Sequence, residues 1–310
     1  MLKKFTVSGS MLVFFGALFW SLNAPLVKFL EVDALLTCGL RSLIAGLVLL
    51  PFLRPSKLRW SPWLAVYLIA YTCLCLGIVL ALRRTSAAIA IGMQYASIVW
   101  LFLVSSIAAR KLDRNHLLPV ILIAAGVIIF MLSGISGSTM TGNLIALTES
   151  ISFAFMTVGA KKSAGTNPLG LTALANLFTG LFVFLFLPPQ FTDLGTLNGQ
   201  ECLIILILGI VQIGLGYALY NMGVGRISPQ KASVIALWEM ILGPVWTAIF
   251  LHEYPGLLVC VGFVIIIAGI LADAKADAAP GANAKADASA AVDGPVSAAS
   301  PALTGENNAK

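Results

Sequence analysis

Ten long apolar runs, separated by short polar breaks, make up nearly all of the first 272 residues. They occupy residues 10–30, 34–53, 63–82, 86–109, 117–133, 142–161, 168–188, 201–222, 229–252 and 256–272. Within each run the apolar residues are continuous rather than alternating, which predicts helices and argues against a β-barrel. A helix rises about 1.5 Å per residue, so about 20 apolar residues cross a ~30 Å hydrocarbon core. The pattern therefore predicts an all-α membrane protein with ten transmembrane helices.

The pattern is also written twice. Residues 10–28 (SMLVFFGALFWSLNAPLVK) can be laid on 143–161 (NLIALTESISFAFMTVGAK), which places Lys28 on Lys161. Residues 84–111 can be laid on 226–253, pairing Arg84 with Arg226 and Ser86 with Ser228. Each copy holds five runs, and an odd number of crossings makes the second copy enter the bilayer from the opposite side. The expected organisation is two inverted five-helix repeats, 1–133 and 134–272, followed by a tail, 273–310. Inverted repeats are a transporter architecture, with the substrate site near the midplane between them and alternating access as the mechanism.

Composition sharpens this picture. With 59% hydrophobic and 10% charged residues over 310, a soluble globular chain is excluded. The net charge of +6 reads as topology rather than nucleic-acid affinity. Twelve membrane-flanking cations lie on the side of the termini: Lys3, Lys4, Arg54, Lys57, Arg59, Arg110, Lys111, Arg114, Lys161, Lys162, Arg226 and Lys231. Only Arg83 and Arg84 flank the other side, so both termini are expected to be cytoplasmic in a multi-pass inner-membrane protein. Lys3 and Lys4 before an apolar run imitate a signal peptide, but the run is too long for an h-region and is expected to be retained. The five cysteines fall within helices, with Cys73 and Cys75 on different faces, so packing is expected rather than a metal site; no cofactor motif occurs. From Asp273 the chain turns to Ala, Asp, Gly, Pro, Ser and Lys, which predicts a disordered cytoplasmic extension.

Charged groups deep in the apolar runs are few. A charged residue at a helix centre costs about 2.5–3.5 kcal/mol on insertion scales and usually faces a cavity or a partner. Glu239 lies about ten residues into its run and Glu149 about seven into its own. Burial disfavours the charged form of a carboxyl, which is how proton binding becomes coupled to transport; helix packing is the competing role. Glu239 shares a helical stripe with Ala232, Ala236, Gly243 and Trp246, and Glu149 with Gly142, Ala146, Ser152 and Met156. Ala87, Ala90, Gln94 and Ser97 form a third small-polar stripe, and the three are expected to line one cavity. Candidate substrate contacts are Trp20, Tyr71, Gln94, Tyr217, Asn221, Trp238 and Glu239; Asn23, Tyr95, Trp100, Asn176 and Gln212 rank below them. Glu239 and Glu149 are the candidate coupling groups, with protons as the ion. For Arg41 snorkelling toward the far interface is favoured over an anionic substrate contact. A kink in the ninth helix at Pro244 would leave backbone groups near Glu239 available to a ligand.

Residues 228–253, SPQKASVIALWEMILGPVWTAIFLHE, resemble the EamA family of the drug/metabolite transporter superfamily. The features that carry this are a Ser-x-x-x-Ala-Ser start, the mid-helix Glu239, Gly243-Pro244-Val245-Trp246 and His252-Glu253. Residues 81–100, ALRRTSAAIAIGMQYASIVW, look like the same element without the acidic positions, and Arg41 matches an arginine usual in the family's second helix. Two departures stand out. Met240 replaces the proline that commonly follows the glutamate, and Arg110-Lys111 replaces the glutamate expected at the end of the fourth helix. The resemblance implies a secondary transporter, an exporter of small polar or amphipathic metabolites, with amino acids and their derivatives ranked first. An importer of a small metabolite or vitamin and a channel-like facilitator are the alternatives. A membrane enzyme is disfavoured: Gly134-Ile135-Ser136-Gly137 matches an intramembrane serine-protease string, with His252 on the same membrane side, but Ser136 sits in a Gly/Ser-rich loop rather than held within reach of a base.

Overall fold

The computed structural model describes residues 8–133, 137–163, 167–187, 189–227 and 229–278. Among these, ten helices are long and apolar enough to cross a membrane, and there is no strand. They are α1 (Gly9–Phe29), α2 (Ala34–Phe52), α3 (Pro62–Leu82), α4 (Ala87–Ile107), α5 (Arg114–Ser133), α6 (Thr139–Ser163), α7 (Pro168–Phe186), α8 (Gly199–Val224), α9 (Lys231–Leu251) and α10 (Leu257–Asp277). Each apolar run falls on one of them, with ends moved by a few residues.

The polar breaks supply the helix starts. Ser8 Oγ accepts from the Met11 amide (3.2 Å), Asp33 Oδ2 from Leu36 (3.1 Å), Ser86 Oγ from Ile89 (3.3 Å) and Asn167 Oδ1 from Gly170 (3.0 Å). Asn198 and Glu201 form a reciprocal capping box at α8. Each cap satisfies an amide that has no partner within its own helix. Pro62 and Pro168 sit in the first turn of α3 and α7, where a missing N–H removes no helical bond.

The helices pair in a regular way. α3 packs along α6, α1 along α8, α2 on α7 and α5 on α10; α4 touches α6 and α9, and α9 touches α1 and α4. Exchanging α1–α5 for α6–α10 maps this set of pairs onto itself. Bare backbone permits the closest of these approaches: a Cβ on Gly16 would lie 3.0 Å from the Gly216 carbonyl oxygen, and one on Gly223 2.7 Å from that of Gly9.

Three helices depart from regularity near their middles. α1 is interrupted at Leu22, α4 at Tyr95–Ala96, and residues Leu208–Leu215 of α8 wind as a π-helix. In α1 the cause is local. Pro25 has no N–H to offer the Ser21 carbonyl, and Ser21 Oγ itself donates back to the Leu18 carbonyl (2.7 Å). The expected break at Pro244 is not where the chain interrupts itself: the ninth helix is continuous over Pro229–Leu251 with Pro244 inside. The last helix continues to Ala278, past the expected start of the tail, because His116 Nδ1 meets Asp273 Oδ1 at 2.7 Å and its Nε2 lies 3.6 Å from Asp277 Oδ1. Residues 279–310, Lys3, Lys4, Ser228 and Ser136 lie outside the described residues.

Candidate functional site: a central cavity closed at one end

The three irregular stretches each contribute to the wall of one cavity of about 490 Å³: Asn23 from α1, Gln94, Tyr95 and Ser97 from α4, and Gln212 and Ile213 from α8. This volume suits a small molecule, for which sites run roughly 300–1,000 Å³. Local unwinding frees backbone groups in a region where water is scarce, and π segments recur at functional sites.

One wall is aromatic. The Trp20 ring lies 4.7 Å from that of Tyr217 and 4.5 Å from that of Tyr220, centroid to centroid. Tyr71 follows at 6.4 Å from Tyr217, and Tyr67 at 5.9 Å from Tyr71. Trp20 reaches α8 because Gly216 is bare; a Cβ there would come within 2.8 Å of the indole. Asn176 donates from Nδ2 to Tyr71 Oη (2.7 Å) and to the Thr172 carbonyl (2.9 Å), which holds the phenol in place from behind.

The polar groups differ in how they are satisfied. Arg41 is only 2% exposed and lines the cavity, so it does not snorkel. Its Nη1 donates to Asn23 Oδ1 (2.6 Å) and its Nη2 to the Cys75 carbonyl (3.2 Å), linking α2 to α1 and α3. Arg41 Nε, Trp20 Nε1 and Gln212 Oε1 are buried without a partner among the described residues. Glu239 lines the cavity and forms no ion pair among the described residues.

Of the predicted contacts, Trp20, Tyr71, Gln94, Tyr217, Asn221 and Glu239 meet at this cavity. Trp238 does not. It is 44% exposed on the outer face of α9, edge-on to Phe14 at 5.8 Å, because one residue along a helix turns the side chain by about 100° from Glu239. Glu149 does not line it either. It faces α3, where Gly77 leaves room for its Cβ, and both its oxygens are buried without a partner among the described residues. Trp100 is turned away to donate to Ser150 Oγ (2.9 Å). Tyr67 and Tyr220 escaped the sequence reading, although each shares a helix face with a residue that did not, Tyr71 at i+4 and Tyr217 at i−3.

The cavity is asymmetric. Toward the end that carries the termini, Thr157, Pro168 and Ser233 line it and are exposed. The far end is shut. Lys28 Nζ bonds Glu253 Oε2 (2.8 Å) and the Thr85 carbonyl (2.9 Å), while Glu253 Oε1 accepts from the Ala87 amide at the start of α4 (2.6 Å). Behind this latch, a Cβ on Gly243 would collide with the Ile91 side chain, and Trp246 Nε1 donates to Ser21 Oγ (2.9 Å). Arg83 donates to the Leu30 and Val32 carbonyls, and Thr85 Oγ1 to Asn143 Oδ1 (2.5 Å).

Set against known proteins, the chain matches the model of the EamA-like transporter family over residues 7–132 and again over 140–272. The chain belongs to the EamA-like transporter family. It is thereby a member of the drug/metabolite transporter superfamily, and a transporter of small molecules across a bilayer rather than an enzyme. The uncharacterized transporter YvbV of Bacillus subtilis (strain 168) is 27% identical to this EamA-like chain over 307 residues, covering 89% of it and 96% of YvbV. A protein of known crystal structure shares its fold, with a TM-score of 0.61 and 17% identity over 85% of this chain and 96% of the other.

Proposed function

We propose that this EamA-like protein is a secondary active transporter working by alternating access, held here with its cavity facing the termini. The observation that carries this is the unequal state of equivalent positions. The register that pairs Arg84 with Arg226 also pairs Ile91 with Ser233 and Leu101 with Gly243. Ile91 and Gly243 are pressed together at the far end, whereas Leu101 and Ser233 both line the cavity at the near one. Likewise Thr157 and Ala160 of α6 line the cavity, while their counterparts Ala24 and Val27 in α1 are fully buried. Exchanging these two arrangements is what inverted repeats permit. The self-mapping helix pairs and five spans per half support that inversion.

The positive-inside bias makes the termini end cytoplasmic, in the inner membrane. The resemblance around Glu239 is what supports reading the protein as an exporter of small polar or amphipathic metabolites, amino acids and their derivatives first. Trp20, Tyr71, Gln94, Tyr217 and Asn221 contact the substrate. Glu239 binds the coupling proton, in company with Tyr95 of α4 and Tyr217 and Tyr220 of α8, and Arg41 of α2. Glu149, buried beyond the cavity on the closed side, becomes hydrated when that end opens and is the second coupling group.

Proteoliposome flux tests this reading. A carrier saturates and shows counterflow of labelled substrate from a metabolite panel, whereas a channel does neither. In this assay Glu239→Gln is expected to abolish accumulation driven by a pH gradient while sparing exchange at equal pH. Unchanged gradient-driven accumulation at normal protein level would remove Glu239 from coupling.

A further inference from the structure

The position of Arg41 says more about the cargo than the cavity's size does. A guanidinium carries five N–H donors and stays charged. Among the described residues two of the five are used, on neutral acceptors, Asn23 Oδ1 and the Cys75 carbonyl. No carboxylate among the described residues pairs with it. The contrast with Lys28 is informative, since that cation has Glu253 at 2.8 Å. An uncompensated buried charge is costly, and a membrane protein that keeps one at a cavity wall gains when a ligand supplies the missing anion.

We propose that Arg41 receives a carboxylate of the transported molecule, while the molecule's body lies along the Trp20–Tyr217 wall. Asn23 and the Cys75 carbonyl fix the plane of the fork and leave three of its five hydrogens, that on Nε included, without a partner among the described residues; two parallel bonds from such a fork are the usual grip on a carboxylate. Trp20, whose Nε1 is likewise buried without a partner among the described residues, lines the same cavity. A single cation suits one carboxylate better than a phosphate, whose second charge would stay unmet. The aromatic wall favours a flat or apolar body, because rings bury area at little cost in ordering. This inference rests on the cavity being the transport site.

The test uses the full-length protein in detergent with three probes of one shape: 3-phenylpropionate, its primary amide and 3-phenylpropylamine. Binding is read from the ligand-dependent shift of the unfolding midpoint. The acid is expected to bind at least about tenfold more tightly than the amide, the size of a lost charge-assisted bond. Arg41→Gln should bring the two within about twofold, and Arg41→Lys should restore part of the preference, since it keeps the charge and loses the fork. Asn23→Ala, which keeps the charge and frees its plane, should weaken the preference without abolishing it. Equal binding of acid and amide, tighter binding of the amine, no binding of the acid, or an acid preference that survives in folded Arg41→Gln would each overturn the proposal. Counterflow of amines or neutral compounds in such a case would leave the transport reading standing.

Discussion

At the far end of the molecule, Lys28, Glu253 and the first amide of α4 close a small ionic latch above the Ile91–Gly243 contact. At the termini end the same register offers Lys161 for Lys28, Lys111 for Glu253, and Leu101 with Ser233 for the contact below. The second set has a lysine where the first has its carboxylate, and it stands open. The two ends are thus alike in backbone plan and different in charge. A pair of equivalent gates need not be equally stable, and here one carboxylate supplies both a counter-ion and a helix cap at one end only. On the proposed alternating-access reading, that asymmetry is what would set which way the cavity faces at rest.

Cys75, buried but on the cavity wall, is the expected reporter of the facing state, with the fully buried Cys38 left in place and the exposed Cys73, Cys202 and Cys260 replaced by serine. In the unaltered gates an impermeant maleimide should reach Cys75 from the termini side alone. The largest change is expected from Gly243→Leu, which places a side chain where Ile91 now sits. Overpacking of this kind costs about 1–3 kcal/mol, enough to move the facing equilibrium roughly five- to a hundredfold. Flux should collapse and Cys75 should label from the far side, with Ile91→Ala in the same chain restoring closure. A Gly243→Leu protein that closes and transports normally would mean that this contact is no gate.

Glu253→Gln should act in the same direction and less strongly. Lys28 and Glu253 are partly exposed, their side chains 16% and 26%, so solvent screens the pair and the shift in far-side labelling should be a few-fold. The charge swap Lys28→Glu with Glu253→Lys separates two roles. A plain ion pair would recover, but Glu253 also accepts from the Ala87 amide, which a lysine cannot do, so little recovery is expected. Full recovery would reduce the latch to a simple ion pair.

A smaller effect is predicted for Lys111→Glu, which writes the missing carboxylate into the first half at the position matching Glu253, with Lys161 at the position matching Lys28. Because Lys111 is exposed, the new pair should be weak, lowering termini-side labelling of Cys75 by about twofold. No change, or a rise, would show that charge does not account for the difference between the ends. Smallest of all is Trp238→Ala. Outside the cavity, it should leave the apparent affinity for substrate within about twofold, whereas Trp20→Ala should weaken it by about tenfold or more.

The hydrophobic pattern alone determined the ten crossings and the all-helical class, because spanning length and continuous apolarity are properties of a local stretch. The motif around Glu239 likewise pointed to the family. Helical spacing correctly put Glu239, Ala236 and Gln94 on cavity-facing stripes, since the 3.6-residue period is local too. What it could not say is which neighbour a given face meets. Arg41 lies near enough to a helix end to snorkel, yet Asn23, eighteen residues earlier, and the Cys75 carbonyl, thirty-four later, hold its guanidinium inward. Glu149 has the stripe of a cavity residue but is covered by α3, because Gly77 opens a space for it there. The pairing of Lys28 with Glu253 spans more than two hundred residues and leaves no periodic trace in the chain. Local period and length decide which elements form; packing between distant helices decides which polar groups are partnered, which are orphaned, and which end is shut.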